Sequence, residues 1–413
     1  MIRWRDQSRK TALVLFGDST GEIDWLLPVL YTMKEQEGER LHLIFITQTP
    51  TLQDKLGADS YYGKQLRSLG TLLAHDQREH IDYSIIDVLL KADDPDNEVT
   101  EYYRERLPEV PVVVFPSGTA ILSRKHDTDE HLKDYFDFIY QKTGREIKNS
   151  QEAHALWLTT SPELEPMARQ FSTPERIRHI GCPRYEAWWM ERVKQERETP
   201  EHEHNTSQMK QVLFVIRGPH WLYQSAEDYE SLMCDFMAEI SERTDTLAVI
   251  KPHPRQDRNE LVKLLSSYDS TKWVISDLSL TELTQNADVV VCMFSSGVLD
   301  AIAANKPVAE FFRYHDRMPV MEYRRDNAGR MISIYEDLGL VRNLANRREL
   351  SEYFSHSLSN PASFQTDSKI LEAFEAVTLR DQSPSQRACD AILNLIRRKG
   401  TVSELNRQET VLC

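Results

Sequence analysis

Short runs of β-branched and other apolar residues recur along the chain, each closed by turn residues and separated by stretches long enough for a helix. In the first half these are "TALVLF" (11–16), "LHLIFIT" (41–47), "YSIIDVLL" (83–90), "VPVVVF" (110–115), "ALWLTT" (155–160) and "IRHIG" (177–181). The second half repeats the pattern with "QVLFVI" (211–216), "LAVIKP" (247–252), "WVIS" (273–276), "ADVVVCM" (287–293) and "PVAEFF" (307–312). Near-continuous apolar runs mark strands buried on both faces, so repeated βα units and parallel sheets are expected. Within the first gap, "EIDWLLPVLYTMKEQEGE" has helical spacing and an acidic first turn, and Pro28 is expected to kink that helix or mark its start.

A chain of 413 residues exceeds one ordinary core, which favours two domains. The polar stretch "ERVKQERETPEHEHNTSQMK" (191–210) reads as a helix end running into an exposed linker. The expected division is a first Rossmann-like domain over 1–185, a linker over 186–205 and a second such domain over 206–385. "SPSQRACDAILNLIRRKG" then gives a helix over 386–400, with Lys and Arg in its last turn and Gly400 as its stop, followed by a loose tail over 401–413.

Fifty Lys plus Arg against 65 Asp plus Glu leave a net charge of -15, which disfavours nucleic acid and anionic bilayers as partners. An anionic substrate must then be met by a local basic pocket. The five cysteines include no CxxC pair, which argues against a zinc site and suits a reducing compartment. No metal and no cofactor are expected. The N-terminus fails as a signal peptide and no run reaches the roughly 20 apolar residues of a membrane span, so the expected location is the cytoplasm. Peripheral attachment to the inner face of the cytoplasmic membrane stays open.

In an open α/β sheet, ligands bind beyond the carboxyl ends of the strands. "VIKPHPRQD" (249–257) is such a strand end, where Pro252 and Pro254 restrict the backbone around His253. A histidine held there can donate to a phosphate or stabilise a phosphate leaving group, with Lys251 and Arg255 adding charge. "MFSSGVLDAIAANKPVA" supplies Ser295, Ser296 and Gly297 at the start of a helix, where hydroxyls and free N–H groups suit a phosphate. Each feature alone also suits an ordinary turn or N-cap; their combination on two strand ends points to a phosphate site.

After the first strand, "LFGDSTGEIDW" (15–25) lacks the GxGxxG fingerprint but offers carboxylates. Glu22 is the preferred general base and Asp18 the second, while both also suit a capping arrangement. "FPSGTAILSRKHDTDEH" (115–131) offers Ser117 and His126 for the acceptor side or a solvated loop. "FFRYHDRMPVMEYRRDNAGR" (311–330) is the most cationic stretch, and its Arg324 and Arg325 are candidates to clamp an anionic substrate from the surface.

With "KPHP", "ADVVVCMFSSGVLDA" and "HIGCPRYEAWW" (179–189), the chain resembles GT-B glycosyltransferases. It is most similar to bacterial groups using cytidine-nucleotide donors: sialyl- and polysialyltransferases, Kdo transferases, and CDP-glycerol glycerophosphotransferases. The resemblance implies two Rossmann-like doubly wound domains facing a cleft, with the last helix crossing back to the first. It implies that His253, Ser295 and Ser296 hold the donor phosphates, that Glu22 in "STGEID" acts as base, and that Gly181 and Pro183 of "GCPR" are structural. A nucleotide-activated sugar, a CMP-sugar first, and a glycan or lipid-linked glycan acceptor in capsule or lipopolysaccharide assembly are the implied partners. Other readings are a CDP-glycerol-type glycerophosphotransferase, a UDP-sugar 2-epimerase-like enzyme, and a non-catalytic nucleotide-sugar-binding protein.

Overall fold

The computed structural model describes residues 9–17, 20–48, 50–92, 98–116, 137, 140–141, 144, 155–162, 165–169, 172–196, 209–220, 223–253, 256–315, 318, 323–359 and 367–410. They form two compact units. One comprises Met1–Ala120, Ile139–Glu186 and Val377–Cys413, and the other Ile121–Phe138 and Ala187–Ala376.

The first unit is built on seven strands: β1 (Lys10–Phe16), β2 (Leu41–Thr47), β3 (Thr71–Leu73), β4 (Val88–Ala92), β5 (Val112–Phe115), β6 (Leu156–Thr159) and β7 (Ile177–His179). They lie in the order β3-β2-β1-β4-β5-β6-β7, all parallel. The chain winds outward from β1 in one direction and returns beside it at β4, so the switch point lies between β1 and β4. Their side chains are buried nearly throughout, which is why the runs were continuous rather than alternating. Strand β3, three partly exposed residues at the edge, carries too short a pattern to be read.

The helix Thr20–Glu37 continues through Pro28, which sits buried in its middle, so the proline does not mark its start. Loss of one backbone donor is tolerated there because that turn is packed on both sides by Leu26, Leu27, Val29 and Leu30, all fully buried. The final helix, Pro384–Thr410, belongs to the first unit and packs on Thr20–Glu37. It continues past Gly400, where the sequence suggested a stop; one glycine inside a helix is a weak breaker, about 1 kcal/mol relative to alanine. Buried Glu186 receives the Ser385 backbone N–H at 3.2 Å and the Ser385 hydroxyl, fixing this helix start to the "GCPRYE" turn. Gly181 stands at φ +89°, and a Cβ there would lie 2.7 Å from the Thr378 carbonyl oxygen, so only glycine fits.

The second unit carries β8 (Lys210–Ile216), β9 (Thr246–Pro252), β10 (Trp273–Ile275), β11 (Val289–Cys292) and β12 (Val308–Glu310), ordered β10-β9-β8-β11-β12 and parallel. Its switch point lies between β8 and β11. An antiparallel pair, β13 (Arg324–Arg325) with β14 (Met331–Ile332), follows. The core packs the helix Ala226–Ser241 on the sheet, with Phe214 and Phe236 stacked at 3.8 Å between ring centroids. Residues 187–196, inside the stretch expected as linker, form the helix Ala187–Glu196. Among the described residues no helix is long and apolar enough to cross a membrane.

Candidate active site at the carboxyl ends of the strands

In the second unit, β9 and β11 flank β8, so the loops bearing His253 and Ser295–Ser296 emerge two strands apart on one edge. At the usual strand spacing this is about 10 Å between backbones, a gap that a phosphate and two side chains can span. Both loops hang on β8: the His253 backbone N–H donates to Ile216 O at 3.0 Å, and that of Met293 donates to Val215 O at 2.8 Å. Lys251 lies on β9 in register with Val215, and both Lys251 and His253 are half-buried.

Beyond β11 the backbone turns sharply at Phe294, which adopts φ +44°. A bulky residue in the left-handed region is strained by roughly 1–3 kcal/mol and persists only where its surroundings hold it. Here they do. The Phe294 ring is enclosed by Tyr223 (5.2 Å between centroids), Phe312 (5.3 Å) and Tyr314 (6.1 Å). The Arg217 guanidinium lies over Tyr223 at 3.7 Å and reaches Phe294 at 5.3 Å. The turn exposes Ser295 and Ser296 partly to solvent. Ser295 Oγ accepts the Gly297 N–H at 3.1 Å, whereas Ser296, at the cap position of the helix Gly297–Ala303, makes no side-chain capping bond. Capping therefore falls to Ser295 rather than to the pair, and Gly297 is packed so tightly that a Cβ would sit 3.1 Å from Leu280 Cδ2.

The loop after β8 adds groups that the sequence patterns did not flag. Arg217, His220 and Tyr223 follow the central strand at the switch point, with His220 stacked on Tyr223 at 5.1 Å. A Cβ on Gly218 would meet Gln256 Cγ at 2.9 Å, so this loop closes directly on the loop carrying His253. The available signal was position alone, since "RGPHWLYQS" follows an apolar strand but shows no motif.

The two candidate arginines of the cationic stretch and its other described arginines divide differently than the composition suggested. Arg324, expected at the surface, is buried, and its Nη1 donates to the Tyr323 carbonyl at 2.9 Å. The cause is the β13–β14 pair, which turns Arg324 inward and Arg325 outward, where Arg325 Nη1 bonds Gly329 O at 3.0 Å. Arg330 is held by Asp326 and Glu336, and Arg313 lies against Asp228 and Asp235. Asp18, Ser117, His126 and Arg255 lie outside the described residues.

At the switch point of the first unit, Glu22 is 1% exposed and its Oε2 accepts the Gly17 backbone N–H at 2.6 Å. A short bond from a backbone donor to a carboxylate is charge-assisted and fixes the side chain at the end of β1. Lys91, also buried, is the penultimate residue of β4, in register with Leu15 of β1. Farther along the same edge, Thr159 Oγ1, His179 and Glu165 form a chain of 2.8 and 2.7 Å contacts. The Glu165 carboxyl is held below its usual range by His179 and secondarily by Arg169, against the effect of burial. Cys292 is buried beneath the second site, its thiol pushed well up by burial and by Glu310 and Asp300, so it is chemically inert.

Comparison with known proteins places this geometry in a recognised architecture. No protein-family model and no curated protein matches the sequence. Among solved structures, that of S. aureus MnaA with UDP is similar over 94% of this chain and 97% of its own, with a TM-score of 0.57 at 15% identity. UDP-GlcNAc 2-epimerase from Neisseria meningitidis bound to UDP-GlcNAc is similar over 93% and 100%, at 0.56 and 12%. The wall teichoic acid polymerase TagF, soaked with CDPG, is similar over 96% and 91%, at 0.55 and 14%. The fold is thus of the GT-B type, two Rossmann-like parallel-sheet domains, a class that includes enzymes acting on nucleotide-linked substrates.

Proposed function

We propose that the chain is a metal-independent transferase that takes its donor group from a cytidine nucleotide, with a CMP-sugar first among the donors and a surface glycan as acceptor. The observation that supports this most directly is the pairing of two loops on β8, one carrying His253 and the other Ser295 and Ser296. In this reading His253, assisted by Lys251 and Arg255, stabilises the departing phosphate, the charge stabilisation a metal ion would otherwise supply. Ser295 and Ser296 hold its oxygens through their hydroxyls, and the Gly297 N–H joins them once Ser295 Oγ, which now accepts it, turns to the ligand. Glu22 takes the acceptor proton, with Asp18 as the other candidate, and Ser117, His126 and Arg325 serve as substrate contacts. Buried Arg324 acts only from beneath. A glycan or lipid-linked acceptor would bring the protein to the inner membrane face as a peripheral partner.

Two other donors deserve their own tests. Similarity to TagF soaked with CDPG favours transfer of a CDP-linked glycerophosphate as the second reading, and similarity to the epimerases favours inversion of a UDP-sugar as the third. The deciding experiment is thermal shift with CMP, CDP, UDP, GDP and ADP in EDTA, on wild type and His253→Ala. Stabilisation by a cytidine nucleotide that disappears in the variant supports the transferase. A uridine preference together with release of a free UDP-sugar epimer supports the epimerase, and silence toward all five nucleotides refutes the site.

A further inference from the structure

Glu310 ends β12 with its side chain fully buried. Its Oε1 accepts the Tyr314 hydroxyl at 3.3 Å, while Oε2 is buried with no hydrogen bond of ordinary geometry. Among the described residues no lysine or arginine pairs with it. Burial pushes its carboxyl up to about 8, opposed by the Ser333 and Tyr314 hydroxyls and reinforced by Glu336. Cys292 and Tyr314 face it as well, both themselves driven to the neutral form by burial. A carboxyl in such surroundings is a neutral acid at physiological pH.

Its place in the sheet makes this consequential. Glu310 stands in register with Cys292 on β11, and the Phe311 N–H donates to Cys292 O at 2.9 Å. Tyr314, tethered to Glu310, meets Phe312 at 5.0 Å and presents its ring edge to Phe294, the left-handed residue from which the serine turn departs.

We propose that Glu310 is a positioning residue for the proposed phosphate site: through the Tyr314 hydroxyl it pins the Phe294 ring and so keeps the Ser295–Ser296 turn in the shape that receives an anion. This rests on the donor-site reading above. The second consequence is electrostatic. Ser295 lies three residues beyond Cys292, just past the turn at Phe294. A charge appearing on Glu310 at roughly 10 Å, in a medium of effective dielectric about 20, weakens a nearby phosphate monoanion by about ten- to twentyfold. Anion binding therefore falls as pH rises through the ionisation of Glu310, and a bound phosphate in turn keeps the proton on.

The test combines amide hydrogen exchange at Ser295–Gly297 with CMP binding by calorimetry between pH 6.5 and 9.5, on wild type, Tyr314→Phe and Glu310→Gln. Tyr314→Phe is expected to raise exchange about tenfold and weaken CMP at every pH. Glu310→Gln retains the acceptor oxygen and folds without a buried charge. It should bind CMP as wild type does at pH 7 but without the alkaline decline. Unchanged exchange in Tyr314→Phe overturns the positioning role, and an alkaline decline shared by Glu310→Gln overturns the electrostatic one. If wild type binds no CMP at any pH, the donor reading falls by itself. Exchange then decides alone: faster exchange at Ser295–Gly297 in Tyr314→Phe sustains the positioning role, and unchanged exchange ends it.

Discussion

The two sheets share one winding and one switch-point logic, yet their carboxyl edges are chemically unlike. In the second unit the edge is built from strained backbone, stacked rings and small hydroxyls around Phe294, with histidine and arginine side chains over them. Along the first, most of the groups are ionisable: buried Glu22 on the Gly17 amide, buried Lys91 near the end of β4, and the chain of Thr159 with half-buried His179 and Glu165. The first arrangement gathers hydroxyls and cationic side chains; the second gathers carboxylates, of which Glu165 is held low by His179. Common topology does not impose that difference, which is the one the proposed reaction would use.

The difference can be broken most forcefully by His253→Ala and Glu22→Gln measured side by side. Removing the imidazole should lower turnover of a cytidine-nucleotide donor by about 10²–10³-fold and abolish the nucleotide thermal shift. Replacing the carboxylate should lower kcat by about 10²–10⁴-fold while leaving that shift intact. Should both variants lose nucleotide binding, the division of labour is wrong.

Next in size is Gly181→Ala. With φ +89° and a carbonyl 2.7 Å from the new methyl, it should destabilise the protein by about 1–3 kcal/mol in urea unfolding without changing nucleotide affinity. Glu310 gives a pH signature confined to the second unit. Its folded value, about 8, stands above the ordinary 4.5, so between those values the native state keeps a proton that the unfolded chain has released. Stability that is complete below about pH 4.5 is thus lost progressively up to about pH 8. Glu310→Gln should flatten that loss in a pH series of chemical denaturation. Glu165 has the opposite sign: its lowered carboxyl contributes above the ordinary value and loses that contribution in acid. The smallest effect concerns thiols, where exposed Cys234 should react with a maleimide within minutes and Cys292 only on unfolding.

Strands buried on both faces were legible because burial itself writes a continuous apolar run, as in β1, β2, β8 and β11. Edge strand β3 and the two-residue ladder β13–β14 were not, since neither is long enough to carry a period. Neither Pro28 as a helix start nor Gly400 as a helix stop held, because local propensity of about 1–3 kcal/mol yields to packing along a long amphipathic face. In the candidate site, His253 and the serine pair stood out through the prolines and the Ser-Ser-Gly sequence beside them. Arg217, Tyr223 and Glu310 did not, because their significance lies in contacts with Phe294 and Tyr314 from other strands. The inward turn of Arg324 likewise depends on a hairpin that composition cannot reveal.

Because His253 and Met293 hang on consecutive carbonyls of β8, the spacing between the roots of the two loops is set by one strand. Such a gauge survives exchange of the parts mounted on it. Loops of altered sequence and length could be transplanted after β9 or β11 to change what is gripped, while the span between their roots stayed calibrated.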